Sequence, residues 1–235
     1  MLRISDLQFD KGAMMKQQFV VGLVGHVCTG KSAVAAAFQR RGAWIFDADK
    51  LVHAIYTQPN VIAEVTAEFG NTVLNNHGAV DRSKLGRIVF HDAAKLKMLT
   101  EQIIFPRTCA LLDTQLAEFR ASAAPALVLD APTLFEAGRE HVCDYILFVS
   151  APIRRRQEWA AARGWDCVEL SRREARMTDE AVKRAQADAL IDNSGSLDEL
   201  DRKVEELFTR WSSVAPNSAR TAQRPAITTK PQTVQ

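Results

Sequence analysis

Gly25-His26-Val27-Cys28-Thr29-Gly30-Lys31-Ser32 is a complete G-x-x-x-x-G-K-[ST] phosphate-binding loop. Its flanks are those the motif needs. Phe19-Val20-Val21-Gly22-Leu23-Val24 is a short apolar run suited to a buried strand, and Ser32-Ala33-Val34-Ala35-Ala36-Ala37-Phe38 continues as a helix. Gly25 and Gly30 let the backbone turn tightly, so that amides from Gly25 through Ala33 gather around phosphate oxygens with the positive end of the new helix behind them. Lys31 adds a point charge that reaches the outer phosphates, and the Ser32 hydroxyl is placed to ligate Mg²⁺. Cys28 reads as a small filler whose thiol lies near the phosphates, within reach of oxidants.

A chain of 235 residues, 47% of them hydrophobic, can bury a substantial core and suits one α/β domain with a helical insertion better than two independent domains. A formal net charge of +2 gives no reason to expect a nucleic-acid or membrane surface. Cys28, Cys109, Cys143 and Cys167 are widely spaced, without a C-x-x-C pair, which argues against zinc and against a disulfide framework and fits a reducing cytoplasm. No stretch is long and apolar enough to span a bilayer. Residues 1–17, which include Met14 and Met15, read as an extension before the first strand. Residues 212–235, rich in Ser, Thr, Pro and Ala without an acidic residue, read as a mobile tail.

Between these ends strand and helix signals alternate. Ala43-Trp44-Ile45-Phe46 reads as a second strand leading into Asp47-Ala48-Asp49. Helical patterns follow over 50–56 and 61–69, then a turn-rich connection over 71–80. Asp81 is placed to cap a helix over 82–90, and a longer helical run over 93–119 is broken or kinked at Pro106. Further strands are expected at Ala126–Leu129, Tyr145–Val149 and around Leu190-Ile191, with helices over 152–163, 171–177, 179–187 and from Ser196 to Trp211. The expected fold is α/β: a three-layer sandwich around a five-stranded parallel sheet, with a helical lobe between the second and third strands.

Several residues suit chemistry at such a sheet. Asp47 and Asp49 stand at the carboxyl end of the strand after the loop helix, where one carboxylate can orient an acceptor hydroxyl and take its proton while the other faces a magnesium shell. The same Asp49 equally suits a helix N-cap. Asp130, closing an apolar strand, can help hold Mg²⁺ through water, or be an ordinary strand-end carboxylate. Arg163 beside Gly164 suits a basic segment that closes over a nucleotide. Of Arg154, Arg155 and Arg156, at least two read as a solvated helix face; Arg172, Arg173 and Arg176 read as solvent-facing or as part of the closing segment. Asn193, where the last strand turns into the final helix, can read an adenine edge or simply form the turn. The histidines lack metal-ligand spacing, and Trp44, Trp159, Trp165 and Trp211 are scattered as packing residues rather than a stacking platform.

Taken in order, Gly25 to Ser32, Asp47-Ala48-Asp49, Pro132-Thr133-Leu134-Phe135-Glu136 and Ala187-Asp188-Ala189-Leu190-Ile191-Asp192-Asn193 make the chain resemble the dephospho-coenzyme A kinases from about Phe19 to Trp211. Arg163-Gly164-Trp165-Asp166 and Lys183-Arg184 fall where that family has its lid. The resemblance implies ATP- and Mg²⁺-dependent phosphorylation of the ribose 3′-hydroxyl of dephospho-coenzyme A, with a domain over 18–211, a helical acceptor lobe over 60–120 and a lid over 160–185. It implies Asp49 as general base, Lys31 and the loop amides as phosphate cradle, Ser32 as magnesium ligand, Arg163 as lid arginine and Asn193 near adenine. The implied enzyme is a cytoplasmic monomer or small homo-oligomer that needs neither nucleic acid nor membrane. Phe105-Pro106 replaces the family's usual His-Pro, His53 stands where Arg is frequent, Met177 where Gln is common and Thr133 in place of Leu; Arg107 is a candidate to contact the acceptor's phosphates instead. The rival readings are another small-molecule kinase, such as one acting on a nucleoside monophosphate, and a nucleotide switch, for which the chain lacks an Asn-Lys-x-Asp guanine motif.

Overall fold

The computed structural model describes residues 17–175 and 177–214. The expected N-terminal extension (but for residue 17), Arg176 and the tail from residue 215 therefore lie outside the described residues. Five strands, β1 (Phe19–Gly25), β2 (Trp44–Asp47), β3 (Ala126–Asp130), β4 (Tyr145–Ser150) and β5 (Ala189–Asp192), form one sheet in the order β2-β3-β1-β4-β5, every pair parallel. β1 is central, with Val21 opposite both Val128 and Tyr145.

Because strand side chains alternate, β1 feeds two cores at once. Phe19, Val21 and Leu23 pack with α1 (Lys31–Arg40) and the final helix, which is α10 (Leu197–Ser213); Val20 and Val24 pack with Leu112, Leu116 and Phe119 of α6 (Phe105–Arg120). On the α10 side Trp211 stacks on Tyr145 at 4.5 Å and 8° between planes, which makes it a packing residue as expected. Ser212 and Ser213, expected in the tail, belong to α10.

A third core, built on Ile55, Val61, Val65, Phe69, Leu85, Val89, Leu99 and Ile103, belongs to the insertion between β2 and β3. Its helices are α2 (Ala48–Ile55), α3 (Pro59–Phe69), α4 (Arg82–Val89) and α5 (Ala93–Met98). Asp81 caps α4 as expected, accepting from Ser83 N at 2.9 Å and Lys84 N at 3.1 Å. The kink expected at Pro106 takes a specific form: α5 passes through a π-helical segment, Leu99–Ile104, before α6. Proline brings no N–H and crowds the preceding turn, and the chain answers by widening that turn. The remaining helices are α7 (Ile153–Ala161), α8 (Cys167–Glu174) and α9 (Glu180–Ala185). α8 starts four residues before the expected position because Asp166 caps it, accepting from Glu169 N at 2.7 Å.

Candidate active site

The loop leaves β1 at Gly25, whose φ of +146° brings it so close to the sheet that a Cβ would lie 2.2 Å from the Val149 carbonyl oxygen. It enters α1 through Gly30 in the left-handed region at φ +84°. Cys28 is held at φ +58°, the one non-glycine with positive φ among the described residues, and is buried against Ala160 and Leu170. The small-filler reading holds for its packing, and its backbone carries strain that a glycine would avoid.

Lys31 is buried at the loop's end and donates through Nζ to the His26 carbonyl at 2.6 Å. Burial pulls its ammonium down from the usual range to about 8, against the raising effect of Asp130. Ser32 donates through Oγ to Asp130 Oδ2 at 3.3 Å. Burial also pushes the Asp130 carboxyl up, opposed by Lys31 and by the bond from Ser32. The strand-end carboxylate and the loop hydroxyl thus meet, as a magnesium pair requires.

The two aspartates after β2 have separated roles. Asp47 is the N-cap of α2, accepting from Lys50 N at 3.0 Å and pairing with Lys50 Nζ at 2.9 Å. Asp49 sits in the first turn of that helix, exposed, on the wall of the central cleft. The capping alternative therefore belongs to Asp47, and Asp49 keeps a carboxylate presented to the cleft.

That cleft, open to solvent, encloses about 2780 Å³. It is lined by the phosphate loop from Val27 to Ala33, by Asp49, His53 and Tyr56, by Arg82, Arg87 and Phe105 of the insertion, and by Arg163, Trp165 and Arg173. Arg163 lies 3.8 Å from Cys28 Sγ and over the Trp165 ring at 5.7 Å, while Arg173 lies over the same ring at 3.9 Å from its centroid. Trp159 and Trp165 thus line the cleft as well as packing. Burial raises the Tyr56 hydroxyl to about 12, so it stays protonated.

Other expectations change. Arg155 and Arg156 are not a solvated face. Arg155 donates to the carbonyls of Gly195 at 2.6 Å and Asn193 at 3.3 Å. Arg156 is buried, donating to the Val27 carbonyl at 3.2 Å and pairing with Glu174. Only Arg154 of the three is exposed. Asn193 is buried and donates through Nδ2 to the Thr29 carbonyl at 3.0 Å, so its amide braces the loop. Arg107 is not among the residues that line the cleft; it donates to Glu64 at 2.5 Å and to the Ile103 carbonyl at 2.8 Å. Arg82 and Arg87 line the cleft instead, and sequence reasoning missed them; the only signal was their place on the polar face of the helix capped by Asp81. His26 turns its ring from the cleft to Glu174 and Glu180.

The family model for dephospho-CoA kinase matches residues 19–199. The chain is 37% identical over 193 residues to the dephospho-CoA kinase of Frankia casuarinae, covering 81% of this chain and 82% of that one. It is 33% identical over 190 residues to that of Rhodopirellula baltica, covering 79% and 88%. A crystal structure from Thermus thermophilus superposes with a TM-score of 0.70 at 32% identity, covering 83% of this chain and 98% of the other. A Campylobacter jejuni dephospho-CoA kinase, at 20% identity and a TM-score of 0.57, shares the fold. The chain belongs to the dephospho-CoA kinase family, which phosphorylates dephospho-CoA to coenzyme A in the last step of coenzyme A biosynthesis.

Proposed function

We propose that Asp49 is the general base of this kinase and that the reacting atoms meet between it and the phosphate loop. The observation that carries the reading is that an exposed carboxylate, a buried lysine and Arg163 line one cleft. ATP lies with its phosphates on the loop amides and Lys31, and the acceptor occupies the helical lobe, residues 60–120, with Arg82 and Arg87 facing it. The ribose 3′-hydroxyl gives its proton to Asp49 as its oxygen bonds to the γ-phosphorus, and the bond from that phosphorus to the bridging oxygen breaks to release ADP. Lys31 starts near pH 8 because it is buried without a full counter-charge; phosphate oxygens supply that charge and keep it protonated. Arg163, on a lid over 160–185, neutralises charge on the group in transfer.

The Ser32 hydroxyl and the Asp130 carboxylate form a hard oxygen pair that suits Mg²⁺, and no ready-made cluster of three His, Cys, Asp or Glu ligands stands elsewhere among the described residues. When bound there, the ion would neutralise phosphate charge. Asn193 acts through the loop, holding Thr29 in place beneath the nucleotide. The enzyme works in the cytoplasm as a monomer or small homo-oligomer. Among the described residues no helix is long and apolar enough to cross a membrane.

The test is ADP release with ATP, Mg²⁺ and dephospho-coenzyme A, with the product identified by mass and by the position of its new phosphate. Acceptor-dependent ADP and a 3′-phosphorylated product support the assignment. Equal turnover with a nucleoside monophosphate, or ADP release indifferent to the acceptor, overturns it.

A further inference from the structure

His26 occupies a position of the phosphate loop at which the motif accepts any residue, since the loop binds through its backbone. Its own carbonyl is held within the loop, by Lys31 Nζ at 2.6 Å and Thr29 Oγ1 at 3.2 Å. Its ring does something the motif does not ask for. Nε2 meets Glu180 at the start of α9, and Nδ1 lies 3.2 Å from Glu174 at the end of α8. One imidazole therefore ties the loop to both α8 and α9.

The surroundings fix this arrangement from every side. Glu174 is also paired with Arg156 of α7, which is buried and donates to the Val27 carbonyl. Glu180 accepts from Arg184 Nε at 2.6 Å, and Arg184 lies over the Phe148 ring at 4.6 Å. The His26 ring meets the same Phe148 edge to face, with centroids 6.4 Å apart. Lys183, the other cation of α9, turns away to Glu136 at 3.8 Å. Glu180 is held below the ordinary carboxylate range, chiefly by Arg184 and then by His26, so it remains an anion over the range in which histidine titrates.

A protonated imidazole has two N–H donors, one for each carboxylate; a neutral ring has one donor and presents a lone pair to the other carboxylate. We propose that His26 is a positioning residue whose ring latches the phosphate loop to the returning end of the lid through Glu174 and Glu180. The latch sets how much of the lid's order exists before nucleotide arrives, so it governs ATP affinity more than the chemical step. It rests on reading residues 160–185 as the lid.

Hydrogen exchange on the full chain tests it directly. In His26→Gln, and separately in Glu180→Gln, which leaves the loop sequence intact, the amides of α8 and α9 should exchange about three- to ten-fold faster than in the parent, as expected when one charge-assisted hydrogen bond is lost, while β1 and β4 stay protected. KM for ATP should rise roughly three-fold or more in His26→Gln with kcat within about two-fold, since only pre-organisation is lost. Exchange in α8 and α9 that is unchanged in His26→Gln overturns the latch. Saturation with ADP separates the underlying reading. If ADP slows exchange in α8 and α9 of the parent yet His26→Gln exchanges like the parent, the lid stands and the latch falls. If the variants behave as stated but ADP leaves exchange unchanged, the segment is latched to the loop but is no lid, and the proposed role in ATP affinity is overturned.

Discussion

Replacing Gly30 by alanine puts the loop's geometry to a quantitative test. Gly30 sits at φ +84°, and a Cβ there would lie 2.2 Å from Asn193 Nδ2, the atom that donates to the Thr29 carbonyl. Holding an alanine in the left-handed region costs about 1–2 kcal/mol. The clash displaces an amide that is buried, and the unmet donor and acceptor add about 1–3 kcal/mol. The sum is roughly 2–5 kcal/mol, and at about 2–4 °C per kcal/mol for a chain of this size the midpoint should fall by order 5–15 °C. Asn193→Ala alone should lose the second contribution only. In the double variant the clash is already absent, so the two losses should fall short of additivity by about 1 kcal/mol or more. Thermal and urea unfolding of the four proteins measures this. Full additivity, or a Gly30→Ala protein within about 0.5 kcal/mol of the parent, would refute the claim that Asn193 is packed against this glycine.

Three further outcomes follow from the same geometry. Burial leaves Lys31 with a folded-state value of about 8 against 10.5, so between these pH values the unfolded chain holds the extra proton and folding stability gains as pH rises through that window. Lys31→Met should flatten that rise in urea titrations, and a rise of unchanged slope would contradict it. ATP binding near pH 8 should take up protons as phosphate restores the Lys31 charge; calorimetry in buffers of different ionisation enthalpy reads the uptake, and none at all would count against phosphate contact at Lys31. Asp81→Ala removes the cap of α4 and should cost about 1 kcal/mol, raising KM for the acceptor more than for ATP because Arg82 and Arg87 ride on that helix; equal effects on both would separate α4 from the acceptor.

The sheet was readable because buried parallel strands are short apolar runs and the loop motif places the first of them. Local signals also placed the Asp81 cap and the break at Pro106. What stayed illegible depended on what a side chain faces. A run of three arginines looks the same whether it meets solvent or the loop, and only packing of α7 shows that Arg155 and Arg156 hold backbone carbonyls. Two carboxylates one residue apart are alike in sequence; the turn into α2 makes Asp47 the cap and leaves Asp49 in the cleft. Arg107 and Arg87 are both helical and basic, and only the folded structure shows that Arg87 lines the cleft while Arg107 pairs with Glu64. The start of α8 was legible and overlooked: Asp166 with Glu169 three residues on is an N-terminal signature.

The central claim is that Asp49 takes the acceptor's proton, and Asp49→Asn tests it most directly, since the substitution keeps shape and removes the base. Steady-state ADP release with saturating dephospho-coenzyme A should fall by roughly 10²–10⁴-fold in kcat, while the Kd for ATP, measured by calorimetry, stays within about two-fold of the parent because Asp49 does not hold the phosphates. A kcat close to the parent's, with acceptor-dependent product still formed, would contradict the account and move the proton to another group in the cleft.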